Sequence, residues 1–264
     1  MIFLLAGTSD ARELSLRLQE DGHRIIASVV TESAAKSLNQ AGIPSRTGRL
    51  STEEMGTLLR EEKFALIVDA SHPFAEEASK NAMTAAAEVG IPYIRYERKH
   101  THYEHPLITV VKDYEEAANA AAAKRGVIML TTGSKTLATF TQVLHNQSDT
   151  RLIARMLPRL DNMEKCEVLG VEQRDIVAMQ GPFSKELNTA LFKQFGVTLI
   201  ITKESGKVGA VDEKIEAAIE CGIETILIAR PTIRYGLQFN SFEKVEQAVE
   251  TILKEDKNGI QSSF

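Results

Sequence analysis

The chain has only two cysteines, Cys166 and Cys221, among its 264 residues. Two thiols cannot build a disulfide framework, and they are too few for a cysteine-based zinc site. His100, His102 and His105 lie close together in sequence, but their segment offers no obvious fourth ligand. We therefore expect a protein of the reducing cytoplasm that holds no metal of its own.

Long apolar runs and an excess of basic residues are also lacking. No apolar run approaches the roughly 20 residues that a helix needs to cross a bilayer. The formal net charge is -5, whereas a nucleic-acid partner calls for a basic face. The sequence therefore predicts no membrane and no nucleic-acid partner. We expect a monomer or a small homo-oligomer.

Short apolar segments alternate with longer segments of helical period, which is typical of parallel sheets built from βαβ units. The predicted strands are Ile2–Ala6, Arg24–Val29, Pro44–Thr47, Ala65–Asp69, Pro92–Tyr96, Ile108–Val111, Val127–Leu130, Arg151–Ala154, Asp175–Ala178, Thr198–Thr202 and Thr225–Ala229. The predicted helices are Ser9–Glu20, Glu32–Ala41, Thr52–Glu62, Phe74–Val89 and Phe242–Lys254. The pattern predicts an α/β protein of two Rossmann-like, doubly wound parallel-sheet domains.

The polar and aromatic segment Arg98–Pro106 has no periodicity and is the predicted boundary between the domains. The first domain would then span residues 1–98 and the second residues 99–256. Residues 257–264 are expected to form a frayed tail.

The turn after the first predicted strand is a candidate nucleotide site. Gly7, Thr8, Ser9 and Asp10 lead into the first helix, where backbone N–H groups and the helix dipole favour a pyrophosphate. The full G-x-G-x-x-G pattern is missing, so an ordinary capped turn is the alternative. No acidic residue clearly ends the second strand, and Thr31, which follows it, could accommodate either a ribose hydroxyl or a 2'-phosphate.

A second candidate lies after the fourth predicted strand. Asp69, Ser71 and His72 stand at the sheet edge where open α/β sheets bind ligands. His72 can exchange a proton near neutral pH. The alternative is that Ser71 caps a helix and that His72 is solvated.

Polar and basic residues follow several other strands, and they suit anionic groups. The candidate substrate-binding residues are Arg95, Arg98, Thr132, Gly133, Lys203, Ser205, Gly206 and Arg230. For each of them, a cap, a solvated side chain or a surface ion pair is the alternative.

Six segments in register resemble the precorrin-6A reductase and cobalt-precorrin-6A reductase family of cobalamin biosynthesis. They are GTSDAREL, DASHPFA, IPYIRYER, GPFSKE, TKESG and ARP, and their order and spacing match the family over nearly the whole chain.

The resemblance implies two Rossmann-like domains whose last strands are exchanged, which would here be Pro92–Tyr96 and Thr225–Ala229. It implies reduction of one macrocycle double bond by NADPH or NADH. The coenzyme would associate mainly with the N-terminal domain, and the tetrapyrrole would bind between the domains. As our own hypothesis of mechanism, His72 or water supplies the proton, and the cofactor carries the hydride chemistry.

One departure from the family bears on the substrate. Many aerobic-pathway members carry GGFGG after the third strand, whereas this chain has Arg46–Leu50 as RTGRL. The difference favours the cobalt-containing macrocycle over the metal-free one. Another doubly wound NAD(P)-dependent reductase and a non-catalytic nucleotide-sensing module remain the alternatives.

Overall fold

A computed structural model of the chain describes residues 1–98, 103–145, 147–204 and 212–261. The chain divides into two compact units: Met1–Lys99 with Thr232–Phe264, and His100–Pro231. The second predicted domain, 99–256, is thus wrong at its C-terminal end, because the chain returns to the first unit after Pro231.

The first unit contains a parallel sheet with helices between its strands. Its elements are β1 Ile2–Leu5, α1 Ser9–Glu20, β2 Ile25–Val29, α2 Glu32–Gln40, β3 Ser45–Thr47, α3 Thr52–Glu61, β4 Leu66–Asp69, α4 Glu76–Val89, β5 Tyr93–Tyr96, β12 Gln238–Phe239 and α10 Phe242–Gln261. The six strands lie in the order β12-β5-β4-β1-β2-β3.

The second unit repeats this arrangement. Its elements are β6 Ile108–Val111, α5 Tyr114–Lys124, β7 Gly126–Leu130, α6 Leu137–Leu144, β8 Thr150–Met156, α7 Leu160–Val168, β9 Ile176–Ala178, α8 Lys185–Phe195, β10 Leu199–Lys203, α9 Glu213–Glu220 and β11 Glu224–Ile228. The six strands lie in the order β6-β11-β10-β7-β8-β9. The predicted fold class is confirmed.

The exchange between the sheets occurs, but the predicted strands are the wrong ones. β5 pairs with β4 in the first sheet, and β11 pairs with β10 in the second. Strands β1–β6 and β7–β12 are two successive sets of six, and the last strand of each set lies in the other sheet. β6 joins the second sheet beside β11, and β12 joins the first beside β5.

Strand β1 shows why the first sheet carries helices on both faces. Alternate residues of a strand point to opposite faces, and all four residues of β1 are apolar and buried. Ile2 and Leu4 pack in a cluster with α1 and α10, whereas Phe3 and Leu5 pack in a cluster with α3 and α4.

Hydroxyl and carboxylate caps begin many of the helices. Thr8, Thr31 and Ser51 cap α1, α2 and α3 through bonds to backbone N–H groups. Helix α4 begins at Glu76, two residues later than predicted, because Phe74 and Ala75 belong to the preceding turn. Helix α10 runs to Gln261, which includes part of the predicted frayed tail, and residues 262–264 lie outside the described residues.

None of the helices in the described part of the chain is long and apolar enough to cross a lipid bilayer.

Candidate functional site

The turn between β1 and α1 has a backbone that requires glycine. Gly7 has φ +125°, and an added Cβ there would meet no atom within 4 Å. The next residue, Thr8, accepts a hydrogen bond from Ala11 N–H at 3.0 Å and donates one to the Ala70 carbonyl at 3.2 Å. The turn therefore leaves open space above Gly7 and is fastened to the loop after β4.

Asp10 and Arg98, predicted to bind different ligands, are ion-pair partners. The Arg98 Nε donates to Asp10 Oδ2, and the Tyr96 hydroxyl donates to the same oxygen at 3.4 Å. The Arg98 side chain is 11 % exposed. Any ligand carboxylate that binds Arg98 must therefore compete with Asp10.

A buried cation lies between two buried carboxylates at the carboxyl ends of β4 and β5. Arg95 donates to Asp69 Oδ1 at 2.8 Å and to Glu97 Oε2 at 2.6 Å through its two terminal nitrogens. Arg95 also donates to the Ser71 hydroxyl at 3.2 Å. Such an arrangement is stable only when every member keeps its partners, since an unpaired charge in the interior is costly.

The Asp69 carboxylate is the centre of this network. Besides Arg95, it accepts hydrogen bonds from the Ser71 N–H at 2.9 Å and from the hydroxyls of Ser79 and Tyr93 at 2.6 Å each. Asp69 thereby connects its own strand, the following loop, helix α4 and strand β5. We infer that it positions the loop that carries His72.

The charges of the network alter the neighbouring pKa values. Burial opposes the charged form of Arg95, but the adjacent Asp69 and Glu97 outweigh it and raise the pKa. Burial and the Asp69 charge raise the pKa of Tyr93, so its hydroxyl remains protonated as a donor. The ring of Tyr235, which precedes β12, lies 4.9 Å from the Arg95 guanidinium carbon.

This burial changes the roles predicted for two residues. Asp69 and Arg95 are both 0 % exposed. The guanidinium of Arg95, predicted to bind substrate, is engaged by Asp69, Glu97 and Ser71, so a ligand would have to displace one of these partners. The carboxylate of Asp69, predicted to bind the coenzyme, is likewise engaged by internal donors.

His72 and Thr31 are closer to solvent. His72 is exposed, and its Nδ1 accepts a hydrogen bond from the Phe74 N–H at 3.2 Å. Thr31 is half-buried and caps α2 by accepting from the Ala34 N–H at 3.2 Å.

The first unit brings most of its predicted residues to one edge of the sheet. Thr8, Ser71 and Arg98 line a small cleft together with Ala70, Pro73, Arg95, Tyr96 and Glu97. Gly7, Ser9 and Asp10 adjoin Thr8 in sequence, and His72 adjoins Ser71. Thr31 follows β2, which lies on the other side of β1 from β4.

The second unit gathers basic residues at the corresponding edge. Lys203 ends β10, and its ammonium lies 5.4 Å from the centre of the Tyr114 ring. Burial, with the nearby positive charges of Lys135 and Lys214, lowers the pKa of Lys203 to about 8. We refer to Lys135, Lys203 and Lys214 as the cationic group.

Thr132 and Gly133 belong to the turn that precedes Lys135. The Thr132 hydroxyl is buried and hydrogen-bonds the Thr136 hydroxyl at 2.9 Å. Gly133 has φ +83°, and a Cβ added to it would meet no atom within 4 Å. These two residues shape the turn that presents Lys135.

Arg230 is less available than predicted. It is 6 % exposed, and its Nε lies 3.3 Å from the Glu204 carboxylate. The predicted residues Ser205 and Gly206 lie outside the described residues.

Sequence reasoning missed the partners of the predicted cations. For Glu97 a signal existed, because residues two apart in extended backbone share a face, and Glu97 follows β5 two residues after Arg95. For Tyr235 and Glu204 no local signal exists, since they meet Arg95 and Arg230 only through the fold.

Two parallel α/β sheets with glycine-containing turns at their carboxyl edges define a protein of two Rossmann-like units. The model of the family described as "Precorrin-6x reductase CbiJ/CobK" matches residues 1–253. The chain belongs to this family.

The relatives include two proteins named cobalt-precorrin-6A reductase. The one from Priestia megaterium is 57% identical over 249 residues, covering 94% of this chain and 98% of the relative. The one from Methanothermobacter thermautotrophicus is 35% identical over 237 residues, covering 88% and 77%. The solved structure described as "CobK precorrin-6A reductase" has a TM-score of 0.76 at 24% identity, covering 95% of this chain and 96% of that one, and it supports the fold.

Proposed function

We propose that the chain catalyses the NADH- or NADPH-dependent reduction of one ring double bond of cobalt-precorrin-6A, or of metal-free precorrin-6A, to the corresponding 6B form in cobalamin biosynthesis. The observation that carries the proposal is the 57% identity to the Priestia megaterium protein over almost the whole of both chains. Relatives at 35% and 34% identity also have the cobalt-containing substrate in their names, which favours the cobalt form here.

The first unit supports binding of a dinucleotide at the β1–α1 turn. The open space above Gly7 allows a ligand to approach the backbone. The first N–H groups of a helix have no carbonyl within it to bond, so those of Ser9 and Asp10 suit a phosphate. Arg98 balances the carboxylate of Asp10, which would otherwise repel an anion. The coenzyme, when bound, supplies the hydride.

The second unit supports binding of the macrocycle, whose edge carries carboxylates. The cationic group places three ammonium groups at one sheet edge, of which that of Lys214 is paired with the Asp212 carboxylate at 3.3 Å. Burial strengthens the attraction of Lys203 for an anion. We assign Lys203, with Thr132 and Gly133 shaping the neighbouring turn, to this side. Arg230 belongs here only if a ligand displaces Glu204.

The reduction needs one proton in addition to the hydride, and His72 is the proposed donor. Its Nδ1 accepts from the Phe74 N–H, so a neutral His72 ring carries its proton on Nε2. The Asp69 network, through Ser71, holds the loop on which His72 stands.

The test supplies purified protein with cobalt-precorrin-6A and with precorrin-6A, each with NADH and with NADPH. We expect loss of reduced-nicotinamide absorbance and a product heavier by one hydride and one proton with the cobalt substrate. Oxidation of neither coenzyme by either macrocycle would refute the proposal.

His72→Ala tests the proton donor. We expect kcat to fall by about 10²-fold or more, with a changed pH profile, because general acid catalysis contributes this much. His145→Ala is the control, since His145 is exposed in the second unit. An unchanged rate and pH profile in His72→Ala would leave water as the donor.

A further inference from the structure

Three exposed apolar residues follow neighbouring strands at the carboxyl edge of the second sheet. Leu157, Leu160 and Met179 are 44%, 76% and 36% exposed, and we call them the apolar rim. Single exposed apolar residues are ordinary, but a group of them marks a binding surface.

The backbone places the members of the rim together. Met156 and Ala178 are register partners at the ends of β8 and β9, and the Met179 N–H donates to the Met156 carbonyl at 2.9 Å. Leu157 and Met179 therefore leave the sheet next to each other. Leu160 begins α7 after a tight turn in which the Arg159 N–H donates to the Leu157 carbonyl at 2.9 Å.

Asn162 connects the rim to the cationic group. Its amide nitrogen donates to the Leu157 carbonyl at 2.9 Å, and its amide oxygen accepts from the Ser134 hydroxyl at 2.5 Å. Ser134 precedes Lys135, whose charge acts on Lys203. The loop after β8 and the turn that carries Lys135 are thus hydrogen-bonded neighbours at the same edge.

We propose that the apolar rim is the surface on which the flat face of the tetrapyrrole lies, while the adjoining cationic group binds carboxylates at the edge of the ring. This inference rests on the proposed function and names the part of the chain that recognises its substrate. A tetrapyrrole has broad apolar faces and a charged periphery, and the rim and the cationic group complement these two features. Carboxyl edges of parallel strands are also where open α/β sheets bind ligands.

The test compares two variants. The rim variant carries both Leu157→Ser and Leu160→Ser, and the control carries Val168→Ser. Val168 is the matched control, because it is the last residue of α7, the helix that Leu160 begins, and is 84% exposed. Both variants replace exposed side chains, so both should keep the thermal midpoint of the wild type. For the rim variant we expect the KM for cobalt-precorrin-6A to rise about tenfold, which corresponds to partial loss of two buried leucine contacts. The KM for the coenzyme should not change.

A second readout does not depend on turnover. Uroporphyrin, a flat polycarboxylated porphyrin, is titrated into each protein and followed by its own fluorescence. We expect its Kd to rise about tenfold in the rim variant and to stay at the wild-type value in Val168→Ser.

The two readouts separate failure of the inference from failure of the proposed function. If the wild type binds the porphyrin through the rim but reduces neither macrocycle, the proposed function is wrong and the rim remains a macrocycle surface. Equal affinities in the rim variant and the wild type would overturn the inference, as would no porphyrin binding by the wild type. Loss of self-association without loss of affinity, measured by sedimentation, would identify the rim instead as a contact between copies and would also overturn it.

Discussion

At the scale of single residues, the first unit is organised around a buried positive charge. Arg95 is enclosed by Asp69, Glu97 and Ser71, and its planar guanidinium reaches all three through its several N–H donors. A lysine would offer one charged centre in place of this fork. The network therefore depends on the identity of this side chain as well as on its charge.

Replacing Arg95 by methionine should strongly destabilise the first unit. The change leaves Asp69 and Glu97 buried without a cation, and breaking such a pair costs about 3–5 kcal/mol. Urea unfolding measures the loss. Arg49→Met is the control, because Arg49 is exposed at the same sheet edge and should change the free energy of unfolding by less than about 0.5 kcal/mol. A similar small change in both variants would contradict this account of the network.

Lys203 should make macrocycle binding depend on pH. Its pKa is lowered to about 8, so its ammonium loses its proton as pH rises through that value, and kcat/KM for the macrocycle should fall. The effect on stability has the opposite sign: between pH about 8 and 10.4 the unfolded state binds more protons at this residue, so its contribution to the free energy of unfolding rises with pH.

Equilibrium binding or kcat/KM measured from pH 7 to 9 checks this prediction. Lys203→Gln should bind the macrocycle more weakly at pH 7 and show a flatter profile. Lys193→Gln is the control. Lys193 is exposed on α8 near the amino ends of β10 and β11, which is the opposite edge of the sheet from Lys203. An identical pH profile in Lys203→Gln and the wild type would remove Lys203 from the binding surface.

At the scale of elements, the turn between β1 and α1 combines a conformational requirement with a proposed binding role. Gly7→Ala places a Cβ at φ +125° and should destabilise the chain by about 1–3 kcal/mol. It should also raise the KM for the coenzyme, because the methyl occupies the space proposed for the dinucleotide.

Gly22→Ala separates these two effects. Gly22 follows α1 with φ +84° and equally open surroundings, so a substitution there is also strained, at the other end of the helix. We expect both variants to lose thermal stability. Only Gly7→Ala should have a higher KM for the coenzyme. Equal coenzyme KM values would show that the turn acts only on folding.

At the scale of the whole molecule, the first sheet is completed by a strand that follows the second unit in sequence. β12 pairs with β5, and α10 contributes Val245 and Val249, which are buried in a cluster with Leu14 and Leu18 of α1. The first unit therefore cannot complete its core from residues 1–98 alone.

Ending the chain after Pro231 should expose the α1 side of the first core. We expect loss of the unfolding transition of the first unit and increased binding of a hydrophobic dye. A chain ended after Lys254 keeps Val245 and Val249 and is the control. A native-like transition in the shorter chain would mean that α10 contributes little to the core.

Several elements follow from local pattern alone. The apolar run of β1 and the hydroxyl residues before α1 and α2 carry their own signals, and the observed bounds of these elements differ from the predicted ones by at most one residue. The exchange of strands has no such signal. β12 comprises two residues, too few to show alternation, and an edge strand such as β6 has a pattern that suits either sheet.

Periodicity and motif order are local properties of the chain, and they were enough to predict the fold class, the turns at the strand ends and the family. Which charged residues are enclosed, and which strand completes the first sheet, became known from the folded chain. The physical reason is that burial of Arg95 and pairing of β12 depend on groups far away in sequence, and their energies exist only once those groups meet.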